Sequence, residues 1–377
     1  MKSVRDAEVR DKTVFLTVDF NVPLKDGVIL DNNRIKSAIP TIKFLLEKRA
    51  NIVIGTHVGR PEGVDLSLST VPIAKELAKL LEQEVYSTDF IFDPVVEKQI
   101  ADLKAGEVLL LGNLRFDPRE KANDPAFAEA LSKYADIYVN DGFAVSHRSD
   151  ASVVAITKFL PSYAGLLLES EITSLGFLLN NPVSPFVVII GGAKIKDKVS
   201  VIKYLSEKAD RILLGGAVAL TFMKAKGEEI GHSLEDDSVL PECQELLRLH
   251  SEKILLPIDS VIEPGQGKDD FKIYDIGAKT RELYKSEIFG AESVFWNGNM
   301  GYTEDVRFTE GTRAIAMAMK ENKSTTVVAG GDTVNFIDSN NLNDGFSFIS
   351  TGGGAAMEFM AGQKLPGIEA LEQREVQ

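Results

Sequence analysis

Short, almost uninterrupted apolar runs recur along this chain from end to end, with longer segments of helical spacing between them. In the first half the runs are TVFLTVDF (13–20), NIVIGTHV (51–58), EVLLLGNL (107–114) and DIYVNDGF (136–143). In the second half they are FVVIIGG (186–192), RILLGGAV (211–218), KILLPIDSV (253–261), ESVFWNG (292–298), TTVVAGG (325–331) and FSFIST (346–351). A strand wetted on one face alternates apolar and polar residues. A strand that is apolar throughout is covered on both faces, as in a parallel sheet between two helix layers. Segments such as RIKSAIPTIKFLLEKRA (34–50), VPIAKELAKLL (71–81) and PAFAEALSKYA (125–135) supply the helices. The chain has 377 residues, and at roughly 150 residues per domain it accommodates two such sheets. The expected fold class is therefore α/β, with two doubly wound, parallel-sheet, Rossmann-like domains. The joint is expected in GLLLESEITSLGFLLNNPVSP (165–185), which reads as a helix with Leu167, Leu168, Ile172, Leu175, Leu178 and Leu179 on its apolar positions, stopped by NNP.

The formal charge is 42 − 56 = −14, which argues against a nucleic-acid surface or an anionic-membrane binder. With 1 cysteine, Cys243, the chain forms no intrachain disulfide, and a reducing compartment fits. The N-terminal MKSVRDAEVRDK lacks an apolar core, and no stretch approaches the roughly 18 apolar residues of a membrane span. The expectation is a cytoplasmic protein.

Ligands of open α/β sheets bind beyond the carboxyl ends of the strands, so the residues after each run carry the functional information. In the first half these are Asp19 and Asn21, with Arg34 opening the next helix, then His57 and Arg60 (THVGRP), Arg115 (NLRF), and His147 with Arg148 (NDGFAVSHRSD). A single arginine after a strand is usually a solvated loop charge. Arginines at equivalent positions around one sheet point instead to a small, multiply anionic ligand, because guanidinium forks match carboxylate and phosphate.

The strands of the second half end in glycine: GGAK (191–194), GGA (215–217), WNGNMG (296–301), GGDT (330–333) and STGGGA (350–355). Glycine serves tight turns and close packing. It also lets a ligand approach the backbone at helix N-termini, where amide groups favour phosphate. So many such turns on one edge suggest a nucleotide. Asp332 either holds Mg²⁺ beside the phosphates or simply caps a helix. An anion-gripping domain and a nucleotide-cradling domain together suggest a phosphotransferase whose ligands meet by domain closure, which also excludes water. GGAKIKDK (191–198) is not the P-loop pattern, and no G-x-G-x-x-G follows a strand, which disfavours a dehydrogenase.

These motifs, in order over essentially the whole chain, resemble phosphoglycerate kinase: VDFNVPL, NNRIKSAIPTI, THVGRP, NLRF, NDGFAVSHR, GGAKIKDK, LLGGAVALTF, LLPID, DIGAKT, VFWNGNMG, GGDT, FSFISTGGGAAMEFMAG and LPGIEAL. The resemblance implies reversible phosphoryl transfer between ATP and the carboxylate of 3-phosphoglycerate, giving ADP and 1,3-bisphosphoglycerate, with Mg²⁺, in a monomer. It implies that Asp19, Asn21, Arg34, His57, Arg60, Arg115 and Arg148 bind the phosphoglycerate, with Arg34 nearest its carboxylate. It puts the nucleotide along Gly191, Gly192, Gly215, Gly216, Asn297 and Gly298, with Glu304 on the ribose and Asp332 on the metal. Lys194 and Lys198 address the phosphates. Gly330 belongs to the same nucleotide site, Thr333 and the amides of Gly331, Gly352 and Gly353 flank the transferring group, and Arg34, Lys194, Gly331 and Gly353 are the implied catalytic set. It also returns the C-terminal tail to the first domain. The expected domains are thus 1–164 with 364–377, a hinge helix over 165–184, and 185–363.

The chain departs from the family pattern at several positions. Asn299 replaces a proline and Thr303 an aromatic residue, Asp150 a histidine, Gly112 a glutamate, Thr17 an arginine, and Ala144 and Ala329 glycines. Lys196 stands where a small residue is usual and is expected to be solvated. Two further readings are a binding protein that closes without chemistry and a paralogue whose active site has drifted. Retention of Lys194, Asp332 and the glycine edge counts against the first.

Overall fold

The central apolar runs become strands because their side chains find cover on both faces. Phe186–Ile190 and Ser293–Asn297 are buried at each position in the computed structural model, which describes residues 1–267 and 270–373. The chain divides into two compact units, Met1–Ile172 joined by the tail from Lys364, and Thr173–Gln363. Among the described residues each unit holds one six-stranded sheet.

Across the first sheet the strands run Val85–Ser87, Val108–Leu110, Asn51–Gly55, Thr13–Thr17, Ile137–Asn140 and Ser162–Ala164, all adjacent pairs parallel. Across the second they run Ile254–Leu255, Arg211–Leu214, Phe186–Ile190, Ser293–Asn297, Thr325–Ala329 and Phe348–Ile349, again parallel throughout. Both are doubly wound. The chain adds strands on one side of its first strand, then returns to add the rest on the other side. That reversal opens a crevice at the carboxyl ends of the two strands flanking it. In the first unit the crevice lies between Thr13–Thr17 and Ile137–Asn140, and in the second between Phe186–Ile190 and Ser293–Asn297.

Each unit has its own core. Val14, Leu16, Ile52, Ile54 and Val139 pack with Ile35, Ile42, Leu45, Ile73 and Leu77 of the helices Asn33–Glu47 and Val71–Leu81. Phe15, Val53, Leu109 and Tyr138, one residue out of phase, are equally buried, so both faces are covered. In the second unit Ile189, Trp296 and Val328 pack with Tyr284, Ile288, Ile315, Met319 and Ile337. Each such aliphatic side chain contributes about 1.5–3 kcal/mol by leaving water.

The expected joint helix spans Leu166–Asn180 and ends before Pro182. Its first amides are satisfied from the first unit: Leu166 donates to Thr41 Oγ1 at 3.0 Å, and Leu167 and Leu168 donate to Asp141 Oδ1 at 2.9 and 3.3 Å. Burial pushes the Asp141 carboxyl up to about 7 despite these bonds.

The structure corrects the strand inventory in two ways. Val85–Ser87 and Ser162–Ala164 are edge strands that the apolar runs did not mark, because an edge strand is short and only partly covered. The run 253–261 is not one strand. Ile254–Leu255 joins the sheet, Pro257 interrupts it, and Ser260–Pro264 pairs antiparallel with Phe271–Ile276. The tail forms the helix Pro366–Glu372, where Gly367 N donates to Ser146 O at 2.9 Å, so the tail packs on the first unit. Residues 374–377 of that expectation lie outside the described residues.

Candidate active site

In the first unit the loops beyond the strands are stitched together before any ligand arrives. Thr56 Oγ1 accepts from Phe20 N at 2.9 Å and donates to Val18 O at 3.0 Å. Asn21 Oδ1 accepts from Gly59 N at 2.8 Å. Asn113, fully buried, donates to Val58 O at 2.8 Å and accepts from the amides of Val58 and Arg115. This framework fixes where the charged side chains start.

Those side chains gather at the crevice. Arg34, in the first turn of its helix, donates to the Asp19 carboxylate. Arg115 is buried, donating to Gly59 O at 3.1 Å and to Asp150 Oδ2 at 3.3 Å. Arg148 Nε donates to His147 Nε2 at 3.4 Å. His57 is buried among them, and its pKa falls to about 3, first because burial disfavours the imidazolium. The charges of Arg115, Arg148 and Arg34 add to this, against Asp19. Burial and then Arg115 also lower Arg148, which in addition feels Asp150, Asp19 and Arg60. Asp19, Asn21, Arg34, His57, Arg60, Arg115 and Arg148 are thus one cluster. His57 Nε2 and Arg115 Nε are buried without a hydrogen-bond partner among the described residues.

The second unit presents a cleft of about 1360 Å³. Gly192, Lys194, Lys198, Gly216, Asn297, Gly298, Glu304, Gly330, Gly331, Asp332, Thr333 and Gly353 line it, while Gly191 and Gly215 lie behind the lining. The loops after the two central strands are braided through backbone bonds: Gly191 N to Asn297 O at 2.9 Å, Gly192 N to Asn299 O at 2.7 Å, and Gly216 N to Met300 O at 2.8 Å.

The glycines fall into two kinds. A Cβ on Gly191 would sit 2.3 Å from Asn299 O, and one on Gly298, whose φ is +93°, would sit 2.2 Å from Gly191 O. These glycines let protein backbone approach protein backbone. A Cβ on Gly331, Gly353 or Gly354 would meet nothing within 4 Å. These open the helices Gly331–Ser339 and Gly353–Met360, so their free amides face empty space where a phosphate gains most.

Lys194 is exposed just before the helix Ile195–Ser206, and Lys196 is exposed, as expected. Lys198 is buried in the next turn and donates to Gly191 O. Its pKa falls to about 8, first through burial and then through Lys194, while Asp332 and Asp197 hold it up. Thr333 is fully buried, its hydroxyl accepting from Gly298 N at 2.8 Å. Asp332 is not a helix cap, because Gly330 occupies that position with φ +105°. Its exposed carboxylate lines the cleft within electrostatic reach of Lys198. No group of three or more His, Cys, Asp or Glu is placed to hold a metal ion among the described residues. One carboxylate suits a Mg²⁺ that takes its other ligands from phosphate and water.

Some features escaped sequence reasoning. Asn299 Nδ2 donates to Thr303 Oγ1 at 2.7 Å, so these two departures from the family pattern form one contact. A Cβ on Gly112 would lie 2.4 Å from Asp89 O, leaving no room there for the usual glutamate. Asp150 pairs with Arg115 rather than standing idle beside Arg148. Buried Glu120 lies behind that pair, accepting from Ser152 Oγ at 2.5 Å and Ser152 N at 3.0 Å. The Arg115–Asp150 spacing of 35 residues gives no local pattern to read.

The chain is similar to known proteins over almost its whole length. A family model described as "Phosphoglycerate kinase" matches residues 4–363. A phosphoglycerate kinase of Dictyoglomus turgidum is 42% identical, covering 98% of each chain, and one of Chloroflexus aurantiacus is 44% identical, covering 99% of each. Among solved structures, that of phosphoglycerate kinase from Coxiella burnetii superposes with a TM-score of 0.88 at 33% identity, covering 99% of each chain. That of the Pyrococcus horikoshii enzyme gives 0.90 at 33% identity, covering 99% of this chain and 98% of the other.

Proposed function

The chain belongs to the phosphoglycerate kinase family, and on that premise we propose how its residues divide the work. The reaction is reversible phosphoryl transfer between ATP and the carboxylate of 3-phosphoglycerate, yielding ADP and 1,3-bisphosphoglycerate, a step of glycolysis. The observation that carries the residue assignment is the convergence at the first unit's switch point. There His57 is kept neutral while Arg34, Arg60, Arg115 and Arg148 face one crevice.

In this reading those groups, with Asp19 and Asn21, hold the phosphoglycerate, and Arg34 lies against its carboxylate. The nucleotide occupies the second unit's cleft along Gly192, Gly216, Asn297 and Gly298, with Glu304 at the ribose and Lys198 at the phosphates. Gly191 and Gly215 support that surface from behind, and the Thr333 hydroxyl holds Gly298 in place within it. Mg²⁺, held by Asp332 and phosphate oxygens, supplies positive charge to the nucleotide when bound.

The chemistry requires no general base, because the attacking carboxylate is ionised at neutral pH. A carboxylate oxygen bonds to the γ-phosphorus while the bond to the β-phosphate oxygen breaks, and ADP takes the electron pair. The catalytic work is alignment and neutralisation of charge over the phosphoryl oxygens. Arg34 and Lys194, with the amides of Gly331 and Gly353, provide it once the units close on their ligands and exclude water. The Gly352 amide, which the resemblance implied in the same role, already donates to Ser350 Oγ at 3.1 Å. The protein is read as a cytoplasmic monomer, and its single buried cysteine suits a reducing compartment.

The test supplies 3-phosphoglycerate and Mg-ATP and couples the product to an NADH-linked dehydrogenase. Turnover dependent on both substrates is expected. Folded protein without turnover overturns the assignment.

A further inference from the structure

The anion crevice contains acids as well as arginines, and one of them is built in. Asp150 is buried, its Oδ2 accepts from Arg115 at 3.3 Å, and the Arg115 side chain is itself almost wholly buried. Glu120 stands behind the pair, held by both donors of Ser152. The two acids share a backbone frame, because Ala151 N donates to Glu120 O at 2.8 Å. Thr17 and Tyr138 both donate to Ser152 O at 2.8 Å, closing the network with neutral groups. Asp19 similarly takes Arg34, whereas Arg60 and Arg148 form no carboxylate ion pair among the described residues. The site thus offers an incoming anion less charge than its arginines suggest.

We propose that Asp150 is a positioning residue for Arg115, fixing its guanidinium against Gly59 O and cancelling its charge, so that it limits the affinity of the anion crevice. The held fork presents hydrogen bonds in a fixed direction without adding a full positive charge. Ligand is then aligned by geometry and released without overcoming an extra ion pair. The inference rests on the phosphoglycerate reading of this crevice.

The test compares Asp150→Asn with the natural protein. The amide keeps an acceptor for Arg115 and removes the charge. By Coulomb's law at an effective dielectric of about 20 with salt screening, Kd for 3-phosphoglycerate is expected to fall about fivefold. KM should fall with it while kcat does not rise, because the added attraction acts on ground and transition states alike. The salt dependence of KM should steepen, and Kd for ADP should stay unchanged. A merely structural role would move none of these in that direction. Equal or weaker binding by well-folded Asp150→Asn overturns the proposal. Should that variant fail to fold, Asp150→Ser, which also removes the charge, is read in its place: tighter binding supports the proposal, and equal or weaker binding by folded protein overturns it. Sulfate, as a competing anion probe, separates the two readings. If the natural protein ignores 3-phosphoglycerate, the functional assignment fails, while tighter sulfate binding by the variant still supports the role of Asp150.

Discussion

The two crevices of this protein occupy the same place in their sheets and are built from opposite materials. The first is built on side chains: a neutral buried histidine, a buried arginine and buried acids behind it, with Arg34 and Arg148 half-buried and Arg60 exposed. The second relies on glycine-rich loops within its lining, with glycines that either let one loop lie against another or open helix N-termini. A compact ligand with few atoms has to be gripped at each of them, which calls for directed side chains. A longer, phosphate-bearing ligand is served by amides in a row. Side-chain recognition is therefore adjustable one charge at a time, whereas backbone recognition depends on the fold around it.

The largest effect expected from this contrast is at Arg34. Arg34→Ala should lower kcat by roughly 10²-fold or more, as loss of transition-state charge stabilisation does, with ADP affinity unchanged by calorimetry. Near-normal kcat would break the contrast at its chemical end.

Next come the glycines. Gly298→Ala should destabilise the second unit by several kcal/mol, about 3 or more for backbone overlap at positive φ, with a large fall in Tm. Gly331→Ala should leave Tm nearly unchanged and weaken nucleotide binding. If both variants behave alike, the division into packing and open glycines is wrong.

A third test uses the buried acid Glu120, whose pKa burial raises from 4.5 to about 7. Because the folded value is raised, its contribution to stability is complete below 4.5 and is lost as pH rises through 7. Glu120→Gln should therefore gain on the natural protein by a few kcal/mol, on the order of 2–3, between pH 5 and pH 8, in denaturant titrations. His57 has the opposite sign: its folded value is depressed, so stability present above 6.5 is lost on acidification toward 3. An unchanged difference between Glu120→Gln and the natural protein across pH would remove the buried-charge account of the first crevice.

The smallest effect concerns Lys198, depressed to about 8. Phosphate bound beside it should raise that value, so nucleotide binding takes up a fraction of a proton between pH 8 and 10 and weakens over that range. Calorimetry in buffers of different ionisation enthalpy reads this directly, and no uptake would place Lys198 away from the phosphates.

Much of this organisation is legible in the sequence because covered strands must be apolar and ligands gather at strand ends. Phe186–Ile190 declares itself, and so do Arg60 and Arg115 after their strands. Ser162–Ala164 does not, since an edge strand carries too little apolar surface to stand out. Nor does the division among glycines, because Gly191 and Gly331 look alike until the neighbouring loop is in place. Asp150 looks like a charge removed beside Arg148, and only the fold brings it to Arg115.

The helix Pro366–Glu372 rests on Ser146 and Val153 through Gly367, which bracket Arg148 and Asp150. The tail and the anion loop therefore move as one packed unit, although they lie far apart in sequence. A disturbance that undocks the tail would reach the first crevice without touching any of its charged residues.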